Sequence, residues 1–158
     1  MKRIHLHVSV PDIDQAIAFY SVLFDAAPAV VKTDYAKWML EDPCVNLAIS
    51  SRARATGVDH VGIQVDSAAE LGDLAGRLKA AGAQTIDQEP TTCCYGKSDK
   101  SWVTDPAGVR WETFFTFGEA VTYGEEPEAA QAAAAGGAAC CGAPAPETTA
   151  QAAPASCC

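Results

Sequence analysis

The chain carries one pattern twice, and this internal repeat limits its possible folds more than any other feature. Residues 3 to 10 alternate, with Ile4, Leu6, Val8 and Val10 on one face and His5, His7 and Ser9 on the other, which predicts a strand. Asp12 and Gln15 then make a helix N-terminal cap, and Ile13, Ala16, Ile17, Tyr20, Leu23 and Phe24 recur at helical spacing. Three short strand-like runs follow, at 29–32, 35–40 and 45–50. The order then restarts: a strand at 59–65, a capping box at Ser67 and Glu70, a helix through Leu71, Leu74, Ala75 and Leu78 that ends at Gly82, and strands near 84–88, 101–104 and 109–115. The expected fold is therefore α+β, two βαβββ modules over 1–52 and 58–118. One such sheet alone leaves an apolar face and an open edge, whereas two can close into a curved, barrel-like cleft.

The repeat aligns residue by residue. His5 precedes Val10 by five positions, as His60 precedes Val65, and Asp42-Pro43 matches the Asp105-Pro106 that opens the turn Asp105-Pro106-Ala107-Gly108. Both histidines stand near the start of a strand, so packing the modules about a pseudo-two-fold axis brings both imidazoles into the cleft. Glu112, in the final strand, shares a face with Arg110 and Phe114. Its counterpart in the first module is Ala48, which offers a metal nothing. Two histidines and one carboxylate with open positions form the facial arrangement of non-haem iron(II) oxygenases, while four protein ligands would favour a Lewis-acid metal. His7 points to the same side as His5 and competes with it, but the repeat favours His5 as ligand and leaves His7 a supporting role.

Six of the seven cysteines come as adjacent pairs, Cys93-Cys94, Cys140-Cys141 and Cys157-Cys158. Zinc knuckles space their cysteines by two to four residues, and adjacent cysteines close only a strained disulfide ring. Two neighbouring thiols instead suit one soft centre such as cadmium, mercury or trivalent arsenic. Lys97 or Lys100 could lower their pKa, as nearby cations do. Tyr95 and Trp102 are candidates for the pocket wall.

A net charge of −9 without a basic cluster excludes nucleic acid and anionic membrane surfaces as partners. The opening Met1-Lys2-Arg3-Ile4-His5 has no apolar run behind its basic residues, so neither a signal peptide nor a membrane span is expected, and the cysteines belong as thiols in a reducing cytoplasm. Residues 119–158 are rich in Ala, Gly and Pro and carry the other two cysteine pairs. Without large apolar side chains beyond Tyr123, they form an expected flexible tail.

Two βαβββ modules with His5, His60 and Glu112 resemble the vicinal oxygen chelate superfamily of glyoxalases, extradiol dioxygenases, and bleomycin and fosfomycin resistance proteins. Within it, Thr91-Thr92-Cys93-Cys94-Tyr95, the stretch Asp99 to Pro106, Arg110-Trp111-Glu112-Thr113, the opening Ile4-His5-Leu6-His7-Val8 and Tyr35-Ala36-Lys37-Trp38-Met39-Leu40 are similar to the ArsI-type carbon–arsenic lyases, organoarsenical demethylases related to cadmium-induced proteins. The resemblance implies Fe(II)- and O2-dependent cleavage of the C–As bond of trivalent organoarsenicals, methylarsonous acid or aromatic arsenicals, to arsenite. It implies iron on His5, His60 and Glu112, arsenic on Cys93 and Cys94, and a small-molecule partner for a monomer or homodimer. Two other readings stay open: a cadmium- or arsenite-binding protein without catalysis, and a glyoxalase- or thiol-transferase-like enzyme on the same fold.

Overall fold

The computed structural model describes residues 1–52 and 54–124. The elements follow the repeat: β1 (Arg3–Ser9), α1 (Ile13–Phe24), β2 (Val30–Lys32), β3 (Tyr35–Glu41) and β4 (Cys44–Ser50), then β5 (Gly57–Val65), α2 (Ala68–Ala80), β6 (Ile86–Cys93), β7 (Gly96–Thr104) and β8 (Arg110–Glu119). Both helices start where the sequence caps them. Asp12 Oδ1 accepts from the Gln15 amide at 2.9 Å, and Ser67 Oγ from the Glu70 amide at 3.2 Å. Gly82, at φ +82°, ends the second helical segment.

The eight strands form one mixed sheet in the order β2-β3-β4-β1-β5-β8-β7-β6. It curls into a half-barrel carrying two helices. Each module contributes one parallel pair, β1 with β4 and β5 with β8, and the modules meet at the antiparallel seam of β1 with β5. Across that seam His5 pairs with Gly62 and His7 with His60, the exchange that a two-fold relation between the modules requires.

The first module's apolar core lies between the sheet and α1. Ala36, Trp38, Leu47 and Ile49 are buried there, with Leu6, Val8, Ile17, Tyr20 and Phe24 packed on them. Full burial of an aliphatic such as Ile49 contributes roughly 1.5–3 kcal/mol. On β1, however, the polar face is the more deeply buried one: His5, His7 and Ser9 are buried, whereas Leu6 and Val8 are partly exposed. The concave side of the curled sheet is thus an interior of its own, lined by hydrogen-bonding side chains.

The thiol segment is a tight hairpin. Cys93 is the last residue of β6, Gly96 the first of β7, and the two pair across a connection of Cys94 and Tyr95. Both connecting residues are left-handed, at φ 57° and 61°. Two left-handed residues give the twist that a two-residue hairpin needs, usually supplied by Asn or Gly. The chain stays close to this hairpin beyond the expected boundary at Gly118. The Ala120 amide donates to the Tyr95 carbonyl at 2.9 Å, and Gly124 bridges to Cys93. The expected flexible tail, with Cys140-Cys141 and Cys157-Cys158, lies outside the described residues from position 125 onward. No described helix is long and apolar enough to cross a membrane.

Candidate functional site

The concave face gathers all five residues singled out by sequence. On β5, β8 and β1, the two histidines converge on one carboxylate oxygen: Glu112 Oε2 lies 3.6 Å from His5 Nε2 and 3.4 Å from His60 Nε2. All three side chains are buried. The remaining nitrogen of each ring is anchored. His5 Nδ1 donates to the Asn46 carbonyl at 3.0 Å, and His60 Nδ1 donates to Asp59 Oδ2 at 2.7 Å. Second partners brace these anchors in turn: Asn46 donates to Gln64 at 2.9 Å, and Arg54 to Asp59 at 3.0 Å. Rings held on one side with the other nitrogen aimed at a common point are how proteins present imidazole to a metal.

Among the described residues the buried His7 Nδ1 has no hydrogen-bond partner, and His60 Nε2 has only its 3.4 Å approach to Glu112 Oε2. A buried polar atom left unmade costs roughly 1–3 kcal/mol. The donor set therefore fits a metal ion, which would satisfy such atoms. His5, His7 and His60 form a buried group whose ligand atoms all lie within 4.8 Å of one another.

The electrostatics support the same point. Burial pushes Glu112 toward protonation, but Lys100 first, and then His60 and His5, hold its carboxyl well below the usual range. Lys100 is itself buried. Its ammonium bonds Glu112 Oε1, and the Glu112 charge keeps it protonated against the penalty of burial. One carboxylate oxygen is thus committed to Lys100 while the other faces the histidines. Burial lowers His5 to about 4. Burial also opposes charge on His60, yet the Asp59 hydrogen bond and the Glu112 charge raise it to about 9.

Cys93 and Cys94 bring their sulfurs to 3.0 Å. Consecutive strand residues point to opposite faces. The left-handed turn at Cys94 breaks that alternation and lets adjacent side chains meet. With His5, Lys100, Glu112 and Phe114, both cysteines line a cavity of about 70 Å³. Cys94, Gly96, Lys37 and Thr116 also line a cleft of about 570 Å³ between β2, β3 and the end of β8. His60 does not line the small cavity and stands behind it, its ring 5.3 Å from that of His5.

The expected lowering of the thiol pKa is not seen at Cys94. Its hydrogen bond with Cys93 and its burial push it well up, and the Lys100 charge does not offset them. Lys97 is exposed. Trp102 is buried with its ring 5.1 Å from His60, and Tyr95 lines the wider cleft while its hydroxyl donates to Asp34 at 2.7 Å. Sequence reasoning missed Asn46, Gln64 and Lys37, which reach the site through strand register. It also missed Asp59, whose place immediately before His60 was a readable signal.

Residues 2–113 match the family model of the glyoxalase/bleomycin resistance protein/dioxygenase superfamily. A trivalent organoarsenical cleaving enzyme of Thermomonospora curvata is 39% identical over 132 residues, which span 82% of this chain and 87% of that protein. The cadmium-induced protein CadI of Mycobacterium bovis is 38% identical over 128 residues, 80% of this chain and 84% of that one. Among solved structures, an extradiol ring-cleaving dioxygenase from B. fuscum superposes with a TM-score of 0.57 at 15% identity, over 74% of this chain and 33% of that one, a likeness of fold.

Proposed function

The chain belongs to the glyoxalase/bleomycin resistance protein/dioxygenase superfamily, and we propose that within it the protein cleaves the C–As bond of trivalent organoarsenicals, releasing arsenite. What supports this reading is the shared cavity: two thiols in contact line the same small space as His5 and Glu112, with His60 behind His5. The trivalent organoarsenical cleaving relative supports it.

His5, His60 and Glu112 would hold iron(II). Bound there, it would supply the redox chemistry and open coordination positions that dioxygen, the co-substrate, requires. The protein's own part is fixation of the substrate. Each thiol passes its proton to a hydroxyl on arsenic, which leaves as water while an As–S bond forms. Methylarsonous acid exchanges both hydroxyls this way and keeps its bond to carbon. Protonated thiols suit the exchange because they carry the proton the leaving hydroxyl needs, so the raised pKa of Cys94 is no obstacle. With two bonds to sulfur, arsenic has one substituent left to orient, and holding it beside the cluster supplies proximity. The small cavity has room for roughly two water-sized groups. The wider cleft beyond Cys94 takes aromatic substituents. Lys100 keeps Glu112 ionised and leaves its second oxygen toward the histidines.

A binding protein without catalysis is the second reading, favoured by the likeness to a cadmium-induced protein. Incubating the protein with methylarsonous acid and iron(II) separates the two. Cleavage gives arsenite under air and none under argon. Stoichiometric uptake of arsenic with no arsenite under air would establish the second reading instead.

A further inference from the structure

The two modules differ most where their symmetry would place a fourth ligand. In the second module Glu112 on β8 stands beside Gly62 on β5. In the first the equivalent pair is Ala48 on β4 beside His7 on β1. The ligand-bearing strand has been exchanged. No side chain fits at Gly62, because a Cβ there would fall on the Glu112 carbonyl oxygen. At the matching place in the first module the residue beside the small Ala48 does carry a side chain, the imidazole of His7. The two-fold relation thus puts His7 beside Ala48, the place from which a second carboxylate would otherwise reach in.

The surroundings of His7 match those of the other two histidines. It is buried, and one ring nitrogen is anchored, Nε2 sharing a 2.8 Å hydrogen bond with Ser50 Oγ. Its other nitrogen, Nδ1, is buried without a partner among the described residues. Its ring lies 4.8 Å from that of His60, its direct partner across the seam, and 6.4 Å from that of His5. The three rings offer ligand atoms within 4.8 Å of one another. Nitrogens bonded to one metal ion at the usual ~2.0–2.1 Å lie no farther apart than about 4.2 Å, so a small adjustment of the rings suffices.

We propose that His7 is a fourth ligand, through Nδ1, to the metal that His5, His60 and Glu112 hold. This rests on the metal reading above. It makes the centre a three-histidine, one-carboxylate site and leaves an octahedral ion two open positions rather than three. It also ties Ser50, at the end of β4, to the metal as the anchor of His7.

The chain contains three histidines in all, His5, His7 and His60, which makes the test unambiguous. X-ray absorption of the Co(II)-loaded full-length protein counts the imidazoles bound. Three are expected, and His7→Gly, which copies Gly62, lowers the count to two and weakens Co(II) binding. Free imidazole added to that variant restores the third. Two imidazoles in the wild-type protein, or an unchanged count in His7→Gly, would overturn the proposal. The wild-type count decides alone if the variant fails to fold. Arsenite release is not the readout, so a count of two would leave the cleavage reading standing, and absent cleavage would leave a count of three intact.

Discussion

Loading the metal site at neutral pH is expected to expel one proton per ion, and the proton comes from His60. Burial opposes charge on this ring, but the Asp59 hydrogen bond and the Glu112 charge hold its pKa at about 9 in the metal-free protein. The other ring nitrogens contribute nothing near pH 7. His5 is lowered to about 4 and His7 lies well below the ordinary value, both chiefly through burial. A ligating imidazole must be neutral. At pH 7, about two units below the His60 value, displacing its proton lowers apparent metal affinity by about 100-fold, or about 2.7 kcal/mol at ~1.36 kcal/mol per unit. Affinity should therefore rise about tenfold between pH 7 and pH 8 and level off above pH 9. The metal-free fold responds with the opposite sign. Because the folded pKa of His60 exceeds the ordinary 6.5, its contribution to stability is fully present below pH 6.5 and is lost as pH rises through about 9. Calorimetric titration with Co(II) in two buffers of different ionisation enthalpy measures the protons released: one at pH 7 and about half at pH 9. Tight binding with no proton released at pH 7 would refute this reasoning.

Other perturbations test separate parts of the site. Cys93→Ser and Cys94→Ser should each abolish turnover of methylarsonous acid while leaving the bound metal content unchanged, measured by arsenite release and metal analysis. Gly62→Ala forces β8 away from β5, since the new Cβ meets the Glu112 carbonyl. Urea denaturation should show a loss of about 1–3 kcal/mol, with weaker Co(II) binding. Lys100→Met leaves Glu112 buried beside no ammonium, and the metal-free protein should lose about 3–5 kcal/mol. Added metal should recover much of that loss in a thermal melt.

The fold was legible because both modules announce themselves with capped helices and alternating strands. The candidate site was legible where the repeat could be used as a ruler: His5 and His60 match by position, and Glu112 follows a recognisable turn. Contacts that depend on strand register were not legible. Asn46 meets His5 only because β4 pairs in parallel with β1, and Lys100 meets Glu112 only through the register of β7 on β8, within a strand longer than the sequence suggested. The left-handed turn at Cys94 and Tyr95 had no Asn or Gly to signal it. The burial of the polar face of β1 was hidden as well, because alternation tells which residues share a face and not which face the curled sheet encloses.

The thiol pair and the histidine–carboxylate cluster are held here to be one site, and a metal that reports on bound arsenic tests this most directly. Methylarsonous acid titrated into the Co(II)-loaded protein under argon should change the visible Co(II) absorption, with saturation at one equivalent per chain. The change should be absent in the Cys93→Ser, Cys94→Ser double variant. Arsenic found by mass spectrometry on Cys93 and Cys94 while the Co(II) spectrum stays unchanged would contradict it.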